Sequence, residues 1–386
     1  MTLPEPSIPR YGERSLADLV PSLLHALGLQ GFPNLLGTEP VDRVCLLLVD
    51  GLGADLLRAN PDAAPFLTSL DRIAPLTAGF PATTAASVSS LGTGASPGGH
   101  GILGYTMRVP GYDRALNALT WSLYGVGGRV DLLDAVVPER FQPDETLFEC
   151  ASRQGVTVTQ IGDPRHEHSG LTRAALRGGR FRPAQSPTAM SSAALEALAE
   201  RRSFVYAHHP ELDRAGHIYG VDSAPLRDQL AVANTMAEYL AERLPSGSLL
   251  VVTGDHGMVD LAEAQRLDIA DHAALRAGVR MLAGEARARY VYTEPGAEAD
   301  VLAAWGERLG DRMWVWSRDE AIATGAFGPV VRAGALERIG DIVAAGYGPV
   351  GIVERSVDPA QARLIGHHGS FTAAEQLVPL LLFRSD

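Results

Sequence analysis

The chain has 386 residues, 46% of them hydrophobic and 20% charged, the proportions of an ordinary globular protein. A net charge of −12 leaves no basic stripe to neutralise a polynucleotide, and two cysteines make no disulfide framework. No run approaches the ~18 apolar residues of a membrane span, and the N-terminal stretch lacks the basic start and apolar core of a secretory signal. The expectation is a cytoplasmic protein with neither a membrane nor a nucleic-acid polymer among its partners.

A proline-containing lead carries one amphipathic helix, about Leu16 to Leu27. The unbroken apolar run Val44-Cys45-Leu46-Leu47-Leu48-Val49 predicts a strand covered on both faces, with Cys45 a buried, inert thiol. A helix follows, then an extended stretch near Ile73 to Ala78. From Phe80 to Gly92 the chain reads as a turn running into a helix of very small residues. Further strands are predicted at Val156–Ile161, Phe204–Ala207, Leu249–Thr253, Tyr290–Tyr292 and Leu377–Phe383. Helical patterns separate most of them, notably Ala224–Arg243 and Glu298–Leu309. This alternation predicts an α/β three-layer sandwich with a mainly parallel sheet and helices on both faces. Between Asp260 and Gly348 the alternation breaks. There Arg287–Tyr292, Glu298–Leu309 and Met313–Trp316 read as a β-α-β insertion. The expected organisation is one catalytic domain over residues 1–386, with a smaller cap subdomain inserted at about 265–345.

Six candidate metal ligands recur along this frame: Asp50, Asp213 with His217, Asp255 with His256, and His368. Ligands of open α/β sheets gather beyond the carboxyl ends of the strands, where Asp50, Asp213 and Asp255 all fall. Asp50 sits in Asp50-Gly51-Leu52-Gly53, where it reads equally well as an N-cap. Asp213 and His217 stand one helical turn apart and can share an ion, or form a solvated pair. Asp255-His256 lies between two glycines, which a plain turn does not require. His367-His368 lies in a similar Gly-bounded loop. His208 and His209 read as strand-end packing residues, while His166 and His168 lie in a loop that could face substrate. Three carboxylates and three imidazoles suit two divalent ions, zinc first and manganese second. Two such ions serve in-line displacement at phosphorus. At the start of the small-residue helix, a hydroxyl placed beside an ion could attack, and free first-turn amides could hold phosphate oxygens. Spacing alone does not separate Thr83 from Thr84 for that role.

Assembled in order, these residues resemble the alkaline phosphatase superfamily, and within it the type I phosphodiesterase/nucleotide pyrophosphatase family. The shared motifs are Asp-Gly-x-Gly, Phe-Pro-x-x-Thr, Thr-Gly-x-x-Pro-x-x-His-Gly-Ile, Asp-x-x-Gly-His, Gly-Asp-His-Gly and His-Gly. They span about residues 43–105, 203–220, 248–260 and 348–383. The resemblance implies an alkaline-phosphatase-like fold, with Asp50, Asp255 and His256 on one zinc and Asp213, His217 and His368 on the other. It implies Thr84 as the nucleophile, touching the Asp50-side ion and forming a phospho-threonine intermediate with small phosphate esters. His368 is favoured over His367 because it directly precedes the glycine. One departure stands out: many nucleotide pyrophosphatases carry an Asn after His-Gly-Ile, whereas this chain reads His100-Gly101-Ile102-Leu103-Gly104-Tyr105. A sulfatase is excluded by the lack of a nucleophilic cysteine motif. A phosphomonoesterase, a phosphonate hydrolase, a mutase and a non-catalytic metal- or anion-binding protein are the alternatives.

Overall fold

The computed structural model describes residues 3–385. Six main strands come first: β1 Arg43–Val49, β2 Asp71–Thr77, β3 Thr157–Gly162, β4 Arg180–Pro183, β5 Ser203–His209 and β6 Ser248–Thr253. Four more main strands follow: β7 Val279–Glu285, β8 Ala288–Thr293, β9 Met313–Ser317 and β10 Ile342–Gly346. The last of the main strands is β11, Leu377–Arg384. Seven strands form the central sheet in the order β2-β11-β6-β1-β5-β3-β4. β1 is parallel to β5 and β6, and β3 is parallel to β4 and β5. Only β11 runs against its neighbours, so the sheet is mixed but mainly parallel, as the alternation predicts.

The main helices are α1 Leu16–Ala26, α2 Thr84–Thr93, α3 Pro187–Leu198, α4 Glu211–Tyr219, α5 Ala224–Ala241 and α6 Glu298–Leu309. Val44, Leu46 and Leu48 of β1 join a core with Leu19 and Leu23 of α1 and Val88 of α2. Cys45, Leu47 and Val49 face the opposite way, into a core with Met190 of α3 and Leu230 of α5. These six residues of β1 are fully buried. A strand covered on both faces has no position for a polar residue, which is why the run is unbroken. Each leucine contributes about 1.5–3 kcal/mol by leaving water. Leu46→Asp would bury an unpaired charge at the centre of the sheet. Burial also pushes the Cys45 thiol up to about 12, so it is inert at neutral pH.

β7 to β10 form a second, antiparallel sheet in the order β7-β8-β10-β9. α6 links β8 to β9, and β10 returns between them. Sequence pattern finds β8, α6 and β9 but misses β7 and β10. β7 carries Arg280 and Gly284, and β10 is five residues rich in alanine, so neither shows bulk or alternation. α6 covers one face of this sheet through Val301, Trp305 and Leu309. On the other face Tyr290 and Tyr292 join Phe80 and Phe327 in a core shared with the central domain. Among the described residues, no helix is long and apolar enough to cross a membrane.

Candidate metal centre

β5, β1 and β6 are parallel neighbours, so their carboxyl ends open on one edge. Asp50 follows β1, Asp255 follows β6, and His208 and His209 end β5. Gly51 has φ +76°, and a Cβ there would lie 3.0 Å from Asp213 Cα. Glycine therefore lets the β1 turn press against α4, bringing Asp50 towards Asp213. At Gly257 a Cβ would sit 1.9 Å from the Ala374 carbonyl oxygen, so the Asp255-His256 loop passes directly against the segment leading into β11. α4 presents Asp213 and His217 one turn apart, with Oδ2 and Nε2 separated by 3.3 Å.

Position separates the two threonines. Thr83 is the N-cap of α2, and its hydroxyl accepts the Ala86 N–H at 3.4 Å. Thr84 is the first helical residue. Its hydroxyl donates to Asp50 Oδ1 at 3.3 Å and lies 3.3 Å from His256 Nε2.

The three histidines share one device. His256 Nδ1 meets the Gly257 carbonyl at 3.0 Å, His217 Nδ1 the Gly366 carbonyl at 2.8 Å, and His368 Nδ1 the Ala82 carbonyl at 2.8 Å. A carbonyl only accepts, so each Nδ1 carries the proton and each Nε2 of the neutral ring is a bare lone pair. Those lone pairs face carboxylates. His256 Nε2 is 3.5 Å from Asp50 Oδ1, His217 Nε2 3.3 Å from Asp213 Oδ2, and His368 Nε2 3.9 Å from Asp213 Oδ1. Lone pair against lone pair repels unless a positive charge, a metal ion or a proton, lies between.

Asp213 Oδ1 and Asp255 Oδ2 are buried without a hydrogen-bond partner, which costs about 1–3 kcal/mol for each atom left so. Two sets have ligand atoms within 4.8 Å of one another: Asp213, His217 and His368, and Asp50, Asp213 and His256. The donor set thus fits divalent ions. The first set matches the expected division. The second draws on Asp213 in place of Asp255, whose Oδ1 accepts the N–H groups of Gly51 and His256 at 3.0 and 3.1 Å.

Burial, and then the charge of Asp213, hold the Asp50 carboxyl well above the usual range. Burial and Asp255 do the same to Asp213, and burial and Asp50 raise Asp255 to about 6. Burial lowers His217 and His256, and it pushes His368 further down with help from His256 and His217. A cation among these groups reverses the logic, favouring ionised carboxylates and neutral imidazoles.

Two residues enter the site without a motif. His208, expected to be a packing residue, is hydrogen-bonded through Nε2 to Asp50 Oδ2 at 3.0 Å. Its place at the end of a strand beside β1 was the available signal. Glu285 arrives from β7, buried, with Oε1 accepting the Tyr105 N–H at 3.2 Å and Oε2 3.3 Å from His368 Nδ1. No local pattern marks it, because it comes from the second sheet. His209 packs at the strand end, buried. His367 Nε2 turns to the Leu364 carbonyl at 3.0 Å, away from the carboxylates that His368 faces. His100 is structural: its Nδ1 accepts the Ile102 N–H, leaving Nε2 to donate to Ser90 Oγ within α2. His166 lines a cavity beside Thr84, while His25, His168 and His272 are exposed.

The family model of type I phosphodiesterase / nucleotide pyrophosphatase matches residues 44–371, most of the chain. The chain belongs to that family. The type I phosphodiesterase fold is equally plain in solved structures. Murine ectonucleotide pyrophosphatase/phosphodiesterase 5 superposes with a TM-score of 0.68 at 17% identity, covering 89% of this chain and 88% of that one. An inactive threonine-to-alanine variant of the murine protein, in complex with AMP, gives 0.67 at 16% identity with the same coverage. The human counterpart gives 0.67 at 17%, again covering 89% and 88%. Comparison with curated protein sequences finds no match. The family is one of phosphodiesterase/pyrophosphatase-type hydrolases of a metal-dependent class, and this chain has its alkaline-phosphatase-like fold and carboxylate–imidazole groups that could hold an ion.

Proposed function

We propose that the protein is a two-metal phosphoryl-transfer hydrolase of small phosphate esters, acting through a phospho-threonine at Thr84. Zinc is the first choice of ion for a mixed carboxylate–imidazole set. Asp50, Asp255 and His256, with the Thr84 oxygen, would hold one ion. Asp213, His217 and His368 would hold the other, with Asp213 close enough to serve both. The single observation that carries this reading is the tautomer arrangement: three imidazoles pinned through Nδ1 to backbone carbonyls, with bare Nε2 atoms facing Asp50 and Asp213, that of His256 3.3 Å from the Thr84 hydroxyl. The inserted region from about 265 to 345 acts in this reading as a cap that supplies Glu285.

When bound, the ions supply positive charge at the attacking and leaving oxygens. The chain does the positioning. Asp50 accepts the Thr84 hydroxyl hydrogen bond and so turns the Oγ lone pairs towards the cavity. First-turn amides of α2 meet the phosphoryl oxygens. Thr84 Oγ gives up its proton as it forms the new bond to phosphorus, and the ester oxygen departs with its electron pair and takes up a proton. Water then breaks the Oγ–P bond and restores the hydroxyl. That a threonine-to-alanine variant of murine relative 5 is inactive is in keeping with this assignment.

Zinc-loaded protein should carry two equivalents, hydrolyse chromogenic phosphate esters, and retain labelled phosphate on Thr84 after acid quench. Thr84→Ala should reduce turnover by several orders of magnitude, roughly as loss of other covalent nucleophiles does, while keeping the carboxylate and imidazole ligands. Near-normal turnover by that variant would replace the covalent route with direct attack by water.

A further inference from the structure

From Leu3 to Arg10 the lead has no helix or strand of its own, yet it is tied down along its length. Pro4, Pro6 and Pro9 stiffen it, since each fixes its own backbone angle and has no N–H to satisfy. The Pro4 carbonyl accepts the Trp314 Nε1–H of β9 at 2.9 Å. The Ser7 N–H donates to the Phe371 carbonyl at 2.9 Å, just beyond His368. The Tyr11 hydroxyl then donates to the Ala326 carbonyl at 3.0 Å and accepts the Phe80 N–H at 3.1 Å. One phenol oxygen therefore joins the connection between β9 and β10 to the turn that leads into α2.

That turn carries Thr84. The Phe80 ring lies on Phe371, with centroids 3.8 Å and planes 10° apart, and meets Phe327 edge-on at 5.5 Å. Ala82 donates its N–H to the Gly369 carbonyl at 3.0 Å, and its own carbonyl receives His368 Nδ1 at 2.8 Å. The turn and the His368 loop are thus one packed unit, and the lead grips both halves of it, at Phe80 and at Phe371. Phe80 and Ala326 are fully buried, so neither backbone group has water to turn to if the hydroxyl is removed. Elsewhere the lead is held at the surface: Arg10 and Arg14 donate to the Pro75 and Ala74 carbonyls of β2, in exposed bonds upstream of the turn.

Building on the hydrolase reading, we propose that Tyr11 is a positioning residue for Thr84: its hydroxyl fixes where the turn begins and so where the Thr84 oxygen stands. Tyr11 lines neither of the cavities that Thr84 lines, so it acts through the turn alone. Asp50 and His256, the partners of the Thr84 hydroxyl, are carried by β1 and β6 and do not move with the turn. A turn free to shift at Phe80 therefore displaces Thr84 from them, and small displacements of an attacking group are costly in rate.

The test compares the zinc-loaded full chain with Tyr11→Phe, which loses only the hydroxyl, and with Arg14→Ala, which loosens the lead at β2 instead. On a chromogenic phosphodiester, Tyr11→Phe should lower kcat roughly ten-fold, leave KM within about two-fold and still bind two equivalents of zinc. Arg14→Ala should keep kcat within about two-fold. A second readout needs no turnover: hydrogen exchange in metal-free protein. The Ala82 amide, whose own partner Gly369 is untouched, should exchange about three-fold faster or more in Tyr11→Phe and at the original rate in Arg14→Ala. An undiminished kcat in Tyr11→Phe, an Ala82 amide that does not respond, or an equal loss of kcat in Arg14→Ala overturns the inference and leaves the hydrolase reading standing. No turnover of any phosphate ester by the unsubstituted protein overturns both.

Discussion

Removing metal should make this protein less stable at neutral pH than in mild acid, the reverse of the common pattern. Asp255 is fully buried, and its carboxyl is raised from 3.8 to about 6 by burial and by Asp50. The folded state therefore keeps this proton to higher pH than the unfolded state does. Below about pH 4 both states hold it and nothing is lost; the loss builds as pH rises from about 4 and is complete above about 6. At ~1.4 kcal/mol per pH unit, that loss is about 3 kcal/mol. Asp50 and Asp213 are raised as well and push in the same direction. For a chain of this length 1 kcal/mol moves Tm by roughly 1–2 °C, so the Asp255 share is about 3–6 °C. Thermal unfolding in chelator at about pH 5 and about pH 7.5 spans the upper part of that range, where Asp255 alone accounts for about 1.4 kcal/mol or roughly 1–3 °C, and added zinc should cancel the difference. Asp255→Asn isolates the effect, since the amide oxygen can still accept the Gly51 and His256 N–H groups. In chelator at neutral pH this variant should be more stable than the unsubstituted protein, yet gain less from zinc. The reasoning fails if the variant is no more stable there, or if zinc leaves Tm unmoved.

Thr83→Ala should cost about 1 kcal/mol of stability, the worth of an N-cap, while leaving much of the turnover that Thr84→Ala removes; chemical denaturation and ester hydrolysis on the same samples check both. His208→Ala frees Asp50 Oδ2 from its hydrogen bond, so zinc affinity on the Asp50 side should fall about ten-fold or more. Calorimetric titration should show one weakened site beside one unchanged site. With a net charge of −12, the protein should show no salt-sensitive binding to duplex DNA in a filter or anisotropy assay. Tight binding at physiological salt would reveal a basic groove.

What sequence shows of this site depends on how far each residue's neighbours lie along the chain. Asp50, Asp213, Asp255 and their histidines carry local signatures, because each sits at a strand end or on one helical turn beside glycines. Their convergence follows from the parallel order of β5, β1 and β6. Thr84 was ambiguous by spacing, because a cap and a first-turn hydroxyl differ only in backbone position, which the structure supplies. Glu285 was invisible, since only the packing of the second sheet brings β7 to His368. His208 looked like its neighbour His209, and only the alternation of side chains along β5 sends one to Asp50 and the other into packing. The strands β7 and β10 were missed for lack of bulk, while β1 was plain because both its faces are covered.

The placement of β11 also governs how the protein is made. It lies between β2 and β6, so a product stopping before Leu377 leaves β6, with Val251 and Val252, as an open apolar edge and β2 with no partner in the sheet. Unpaired edges of that kind recruit other chains. His368 precedes β11 by only a few residues, and its ring is pinned to the Ala82 carbonyl at the mouth of α2. Closing the sheet and completing the ligand set are therefore nearly one event in synthesis. Truncated copies are expected to aggregate, and His368 takes its place beside Asp213 only as the last main strand finds its slot.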